Sequence, residues 1–436
     1  MIAAAGLVPA AARASGKTVA IVGAGLAGLA AAQTLTQRGH KAVVFEARGR
    51  IGGRVWTSRA WTDVPVDMGA SWIHGTAGNP LTELSDRFGA ARAGTSYERA
   101  ITFDAEGREI DIVRETEAVE AFIGKARKGA SAKTSLKDAI VSGPHWSRMR
   151  AREKRIARHV VNSTVEQEYG GAWSEVSAKY FDEAEDFDGG DVLFPNGFGQ
   201  VADGLAHGLD IRLTQEIRRV SPMRQGVRLE LGTGQSFDAD HAVIAVPLGV
   251  LKPERLRFSE PLTRARRDAI AALKLGLLNK CWLRFDRVQW PQNVDWIEWL
   301  GPRDGYWAEW VSLARGLTLP VLLGFNAGDQ ARDVEKLSDR ETVADAHAAL
   351  KAMFGSSFPA PIAAQVTRWS MDSLSVGSYS FNPAGYAAGM REALAGLDWG
   401  GKLAFAGEAA SPEYFGTAHG AYLSGVAAAN AILQDR

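Results

Sequence analysis

Lys17-Thr18-Val19-Ala20-Ile21-Val22-Gly23-Ala24-Gly25-Leu26-Ala27-Gly28, followed by the second apolar run Ala42-Val43-Val44-Phe45 that closes on Glu46, is the stretch on which the fold turns. Thr18–Val22 reads as a short buried-type strand, and Leu29–Arg38 reads as a helix stopped by Gly39. Strand, glycine-rich turn, helix and a strand ending on an acid make one dinucleotide-binding unit. The spacing has a mechanism. Gly23 permits the tight turn, and Gly25 lets a pyrophosphate reach the helix N-terminus, where free N–H groups and the dipole favour anions. Gly28 lets helix pack on strand, and Glu46 offers a carboxylate to ribose hydroxyls while disfavouring a 2′-phosphate, hence NADP.

The chain does not continue as repeated βαβ units. Residues 148–169 read as a helix, first basic and then acidic. Short strands with turn residues fill 209–250, ending in the buried-type run Ala242–Val246. Residues 281–325 read as an antiparallel meander: Cys281–Phe285, Trp296–Leu300, Tyr306–Leu313, Val321–Phe325. Ser338-Asp339-Arg340-Glu341 is a capping box opening a helix to Phe354. Lys402–Ala406 is another buried-type strand, before a small-residue helix at Gly420–Leu433. The expected class is α/β. A Rossmann-like nucleotide domain (17–75, 195–255, 395–436) interleaves with an α+β domain built on an antiparallel sheet (76–194, 256–394).

Composition narrows the function. Fifty basic and fifty acidic side chains cancel, which argues against a nucleic-acid partner. The single cysteine, Cys281, excludes a disulfide framework and multi-cysteine metal sites, and the eight histidines show no metal-ligand spacing, so no metal is expected. No apolar run is long enough for a membrane span. Residues 1–16 form a tail. Its start, MIAAAGLVPAAARA, is either a plain extension of a cytoplasmic protein or the end of an export signal, with cleavage before Ser15 and a periplasmic or secreted destination. A monomer or homodimer is expected.

Further motifs carry the chemistry. Ala47-Arg48-Gly49-Arg50-Ile51-Gly52-Gly53-Arg54 sets two glycines between arginines, which suits a second phosphate contact. Gly69-Ala70-Ser71-Trp72-Ile73-His74-Gly75 follows, then Leu278-Asn279-Lys280, Arg368-Trp369, Gly377-Ser378-Tyr379-Ser380, Gly407-Glu408 and Gly416-Thr417-Ala418-His419-Gly420-Ala421. In this order these segments resemble the flavin-containing amine oxidases, the family of monoamine oxidases, polyamine oxidases and lysine-specific histone demethylases. The resemblance runs from about Lys17 to the C-terminus and is nearest in motif to the polyamine oxidases.

The resemblance implies FAD, not NAD. It implies that Gly23, Ala24, Gly25, Ala27, Gly28, Glu46, Ala47, Arg48, Gly53 and Arg54 follow the cofactor, with Glu46 on the adenosine ribose. Gly69, Ala70, Ser71 and Trp72 would line the isoalloxazine ring, Ile217 and Gly407 would join the set, and Glu408 would bind the ribityl–pyrophosphate region. Thr417 and Ala418 would stand where the final helix points its positive end at flavin N1/C2=O. Lys280 would hold a water at flavin N5. On residue type alone it also suits an exposed strand edge. Trp369 would border the flavin, with Tyr379 and Tyr414 as walls of an aromatic cage for the substrate nitrogen. His74 would face the substrate groove, or else sit as a hydrogen-bonded core histidine. Ser378 stands where covalent members carry the cysteine joined to flavin, so non-covalent FAD is expected.

The implied activity is FAD-dependent oxidation of an amine, first of all a polyamine. A hydride passes from the carbon next to nitrogen to flavin N5, the imine is hydrolysed to an aldehyde, and O2 takes the electrons to give H2O2. Alternatives are a monoamine or L-amino-acid oxidase, a desaturase or protoporphyrinogen-oxidase type of flavoenzyme, and a protein holding FAD only structurally. The length leaves no room for a long coiled-coil insertion, which sets histone demethylation aside. Six acidic residues between Asp182 and Asp191 are either a solvated face or a rim attracting polycations. The basic run Arg148–Arg158 reads as a solvated helix face.

Overall fold

The computed structural model describes residues 16–252 and 255–434 of the 436-residue chain. The expectations for the first fifteen residues lie outside that set. A six-stranded sheet organises the nucleotide half, in the order Asp210–Arg212, Lys41–Phe45, Thr18–Val22, His241–Ile244, Leu403–Phe405, Gly396–Asp398. Pairing is parallel except at the last strand. Thr18–Val22 is central, with Ala20 opposite both Val43 and Ala242. A parallel strand covered on both faces must be apolar throughout, which is why this run does not alternate.

One face of the sheet carries the helices Leu26–Gln37 and Ala418–Gln434. Their Ala- and Gly-rich sequences allow backbones to touch: a Cβ on Gly425 would lie 2.0 Å from the Ala27 carbonyl oxygen. The other face packs on a four-stranded sheet, Ser236–Ala239, Val227–Leu231, Ile217–Pro222 and Arg257–Phe258.

The second half is built on seven strands, in the order Ala363–Val366, Leu278–Arg284, Val321–Ala327, Glu309–Ser312, Trp296–Trp299, Ala100–Phe103, Glu109–Ile110. This corrects the expected meander. Leu278–Arg284 does not lie beside Trp296–Trp299; it pairs with Val321–Ala327 and Ala363–Val366. Asn279–Leu283 is buried throughout, so that strand needs neighbours on both edges. Trp296–Trp299 takes a parallel partner, Ala100–Phe103, instead.

The period of two sorts the tryptophans. Trp282 and Trp296 share a core with Phe325. Trp290, Trp299, Trp307 and Trp310 pack on the opposite face with Cys281. Residues 148–169 are not one helix. Ala151–Val161 continues as a π-helix, Asn162–Gln167. Nor is the basic face wholly solvated: Arg158 is buried, stacks on Trp173 and pairs with Glu166 at 3.3 Å. The box at Ser338 forms as read, with the Glu341 N–H donating to the Ser338 hydroxyl at 3.3 Å.

The helix contact gives a contrast to measure. Gly425→Ala overpacks it and is expected to cost about 1–3 kcal/mol. Gly124→Ala, in the helix Val113–Lys128 with open space around the new methyl, is expected to gain about 0.5–1 kcal/mol. Urea unfolding of the two variants reads both signs.

Candidate active site

The glycine turn forms a cradle. Gly23 has φ +109°, and a Cβ there would lie 2.7 Å from the Ala245 oxygen. The helix Leu26–Gln37 begins at Gly25 without any side-chain cap, so its first N–H groups face outward. A Cβ on Gly25 would meet nothing within 4 Å. The second glycine pair lies against it: the Gly52 N–H donates to the Ala24 oxygen at 2.8 Å, and a Cβ on Gly53 would come 3.4 Å from the Gly25 Cα. Glu46 is buried, and its carboxylate accepts from the N–H groups of Ala24 and Arg48, both at 2.8 Å. About half of its acceptor positions remain for hydroxyls. An uncapped helix N-terminus, a gap beside bare glycine and a buried carboxylate fit the pyrophosphate and ribose of a dinucleotide. Ile217 is buried at the start of its strand, near Gln215, whose N–H donates to the Glu46 backbone oxygen at 2.8 Å.

The two arginines differ. The Arg48 guanidinium is spent on a bidentate pair with Asp372 (2.9 and 2.8 Å) and on Ser375 (3.0 Å), so beside the cradle it is the Arg48 backbone that serves Glu46. Arg54 Nη1 donates to the Ser378 oxygen and to Glu408 Oε1, both at 2.8 Å. Arg54, Gly407 and Glu408 line a cavity with Val246, Leu248 and Phe405. Burial disfavours the Glu408 carboxylate, but Arg54, the Ser380 hydroxyl and Arg391 outweigh it, and its pKa falls below the usual range.

Lys280 is no edge lysine. It lies on a strand paired on both sides and is 4% exposed. Its Nζ donates to the Asp67 oxygen (3.1 Å), the Gly69 oxygen (2.6 Å) and Ser71 Oγ (2.5 Å). The rings of Trp72 and Trp282 flank it at 5.6 and 5.9 Å. Burial pulls its pKa down, against the opposing charge of Asp67. The Gly69 segment is pinned from the other side too: a Cβ there would lie 1.7 Å from the Arg54 oxygen and 3.4 Å from the Trp369 ring. The Trp369 indole N–H donates to the Met68 oxygen at 3.1 Å. Lys280, Ser71, Trp72, Trp369, Arg54 and Glu408 therefore belong to one connected body.

His74 lies among acids and stacks on Trp72, with ring centroids 6.4 Å apart. His74 keeps 52% of its side-chain surface accessible, yet burial is the largest influence on its ionisation. Burial disfavours the charged ring, but Asp191 (3.0 Å from Nδ1), Glu168 and Asp186 outweigh it and raise its pKa. Glu168 is exposed in the same sense, and burial raises its pKa. Tyr379 donates to the Gln167 oxygen at 2.5 Å, so the π-helix that precedes Glu168 also holds the tyrosine. Trp72, Trp296 and Tyr97 make an aromatic column with centroid spacings of 6.0 and 4.2 Å.

Tyr414 stands apart from that column. It stacks on Phe187 at 4.9 Å and meets His419 edge-on, while Tyr379 lies across Gly416. Thr417 caps the final helix, accepting from the Gly420 N–H at 2.9 Å, and Ala418 is that helix's first residue. Sequence reasoning missed Glu168, Asp372 and Tyr97. None lies in a motif, and only the π-turn, invisible in the sequence, sets Glu168 beside His74.

Ser378 Oγ accepts from the Leu278 N–H and donates to the Leu278 oxygen, each at 2.9 Å. Cys281 is fully buried on the sheet face opposite to Trp282, and burial pushes its thiol pKa up. With no thiol offered to a flavin, acid precipitation should leave a colourless pellet and a yellow supernatant.

Among the described residues no helix is long and apolar enough to cross a membrane, and no cluster of His, Cys, Asp or Glu suits a metal ion. A family model described as flavin containing amine oxidoreductase matches residues 26–433. The chain is 34% identical to polyamine oxidase 4 of Oryza sativa subsp. japonica, over 96% of this chain and 88% of that one. It is also 34% identical to polyamine oxidase 2 of Arabidopsis thaliana, over 94% and 87%. A lysine-specific histone demethylase 1 homolog 3 of Oryza sativa subsp. indica is 30% identical over 94% of this chain but only 53% of its own length. A solved structure of a putrescine oxidase redesigned in its cofactor binding superposes with a TM-score of 0.78 at 19% identity, covering 96% of this chain and 99% of that one.

Proposed function

The chain belongs to the flavin-containing amine oxidases, and from that premise we propose that it oxidises polyamines beside Lys280, Tyr379 and Glu168. It is an FAD-dependent amine oxidase. FAD, when bound, would supply the two-electron chemistry that oxidises the amine at the carbon next to nitrogen, with O2 as the final acceptor and H2O2 and an aldehyde as products.

The chain's own residues bind, orient and exclude. The uncapped helix at Gly25 and the Glu46 carboxylate would hold the dinucleotide end. Arg54 and Glu408, which hold each other, would lie beside the middle of the cofactor, and the Gly69–Trp72 segment, tied down by Lys280, would be the floor for its ring. Lys280 has three acceptors on that segment, one for each of its N–H groups, so its first role is to fix the floor. The ring faces of Tyr379 and Trp72 suit a nitrogen carrying partial positive charge.

The observation that carries the polyamine reading is the cluster of Glu168, Asp186 and Asp191 around His74, beside an aromatic column. A monoamine needs one nitrogen held at the reacting end. Carboxylates farther along serve a second, protonated nitrogen. Glu168 is neutral below its raised pKa and charged above it. Its attraction for a distal ammonium therefore grows as pH rises through that value, and KM for a triamine falls there.

Glu168→Gln should raise KM for spermidine about tenfold, equivalent to ~1.4 kcal/mol, and flatten that pH dependence. Benzylamine turnover should change little. Peroxide formation measured across pH with both substrates checks this. Equal losses on the two substrates would remove the role given to Glu168. Lys280→Met should still bind FAD but slow both half-reactions. It also leaves three acceptors unpaired, at a cost of about 1–3 kcal/mol in unfolding experiments.

A further inference from the structure

Arg391 is a buried charge that the site described so far does not use. It lies on the short helix Met390–Leu394 and is 1% exposed. Its Nε donates to Asn382 Oδ1 at 2.9 Å, and its Nη1 donates to Ser380 Oγ at 2.8 Å and to the Ala409 oxygen at 3.1 Å. The Phe415 ring covers its guanidinium at 3.9 Å. Its Nη2 has no hydrogen-bond partner among the described residues. A guanidinium taken out of water costs several kcal/mol unless geometry and partners compensate. An arrangement kept at such a cost, with one nitrogen still unserved, calls for a role.

The Ser380 hydroxyl supplies the connection. It accepts from Arg391 and donates to Glu408 Oε2 at 2.6 Å. The same Oε2 accepts from the N–H groups of Ser380 (3.2 Å) and Gly416 (3.0 Å), while Oε1 takes Arg54. Because Arg391 only donates, the hydroxyl proton has one place to go, the Glu408 carboxylate. The positive charge behind the serine strengthens that bond. Glu408 is thereby held from three sides: by Ser380 before the short helix, by Gly416 before the final helix, and by Arg54 beside the second glycine pair.

We propose that Arg391 is a positioning residue for FAD: acting through Ser380, it fixes the Glu408 carboxylate and the Gly416 turn in the geometry that binds the cofactor. The inference rests on the reading of Glu408 as a cofactor residue. Arg391 touches neither substrate nor cofactor in this account, so its signature is cofactor affinity, not turnover of the loaded enzyme.

The test is a double-mutant cycle read as the FAD dissociation constant, by titrating FAD into the apoprotein and following flavin fluorescence. Ser380→Ala keeps the Arg391 bonds to Asn382 and Ala409 and removes only the link. It should weaken FAD binding about tenfold, the scale of one charge-assisted hydrogen bond. Arg391→Met should weaken it by at least as much, with partial rescue in Arg391→Lys. The double variant should be no weaker than the weaker single one, because the two residues act as one unit. FAD affinity within twofold of wild type in Ser380→Ala, or full additivity in the cycle, would overturn the proposal. Should Arg391→Met fail to fold, Ser380→Ala and Arg391→Lys decide it alone. A lower apoprotein melting temperature with unchanged FAD affinity would mark a purely structural arginine. Glu408→Gln separates the premise: unchanged affinity there would sink the reading of Glu408 itself.

Discussion

The arrangement depends on a buried ammonium that ties two halves of the chain together. Lys280 projects from the seven-stranded sheet and ends on the carbonyls of Asp67 and Gly69 and the hydroxyl of Ser71. An unpaired ammonium at that depth would cost several kcal/mol, so the segment 67–71 cannot drift from the sheet without exposing the charge to an empty interior. The Asp67 side chain is held in turn by the Thr57 hydroxyl and the Phe198 N–H. The same segment presses on Trp369 and Arg54, and Arg54 closes on Glu408. One hydrogen-bonded chain therefore runs from the Gly69–Ser71 segment to the carboxylate beside the final helix.

Charge is divided along the site. At the nucleotide end, N–H groups and the Gly25 helix terminus present positive partial charge. Beside Trp72 the excess is negative, from Glu168, Asp186 and Asp191 around His74. The low pKa of Glu408 fits its place at the seam, where Arg54 and Arg391 face it from two sides.

The nucleotide unit was legible because its signals are local. Gly23, Gly25, Gly28 and Glu46 sit within one strand–turn–helix–strand stretch, and each is explained by its own backbone. The catalytic segments were legible only as an ordered series resembling a known family. What stayed hidden is tertiary. The seven-stranded order departs from a meander because Leu278–Arg284 needs partners on both edges. The π-turn after Val161 has no sequence signature, so residues 148–169 read as one helix and Glu168 drew no separate reading. Arg48 read as a phosphate ligand until Asp372, more than three hundred residues away, was seen to hold it. Arg391 lies in no motif, and its burial depends on contacts with Asn382, Ser380 and Ala409.

The most direct measurement is anaerobic mixing of the purified holoenzyme with spermidine, putrescine and benzylamine, following flavin absorbance in a stopped-flow instrument. The account predicts loss of the absorbance with every amine that is turned over, fastest with spermidine, and its return when air is admitted with peroxide formed. A chain that binds no FAD, or a flavin that no amine bleaches, would contradict it.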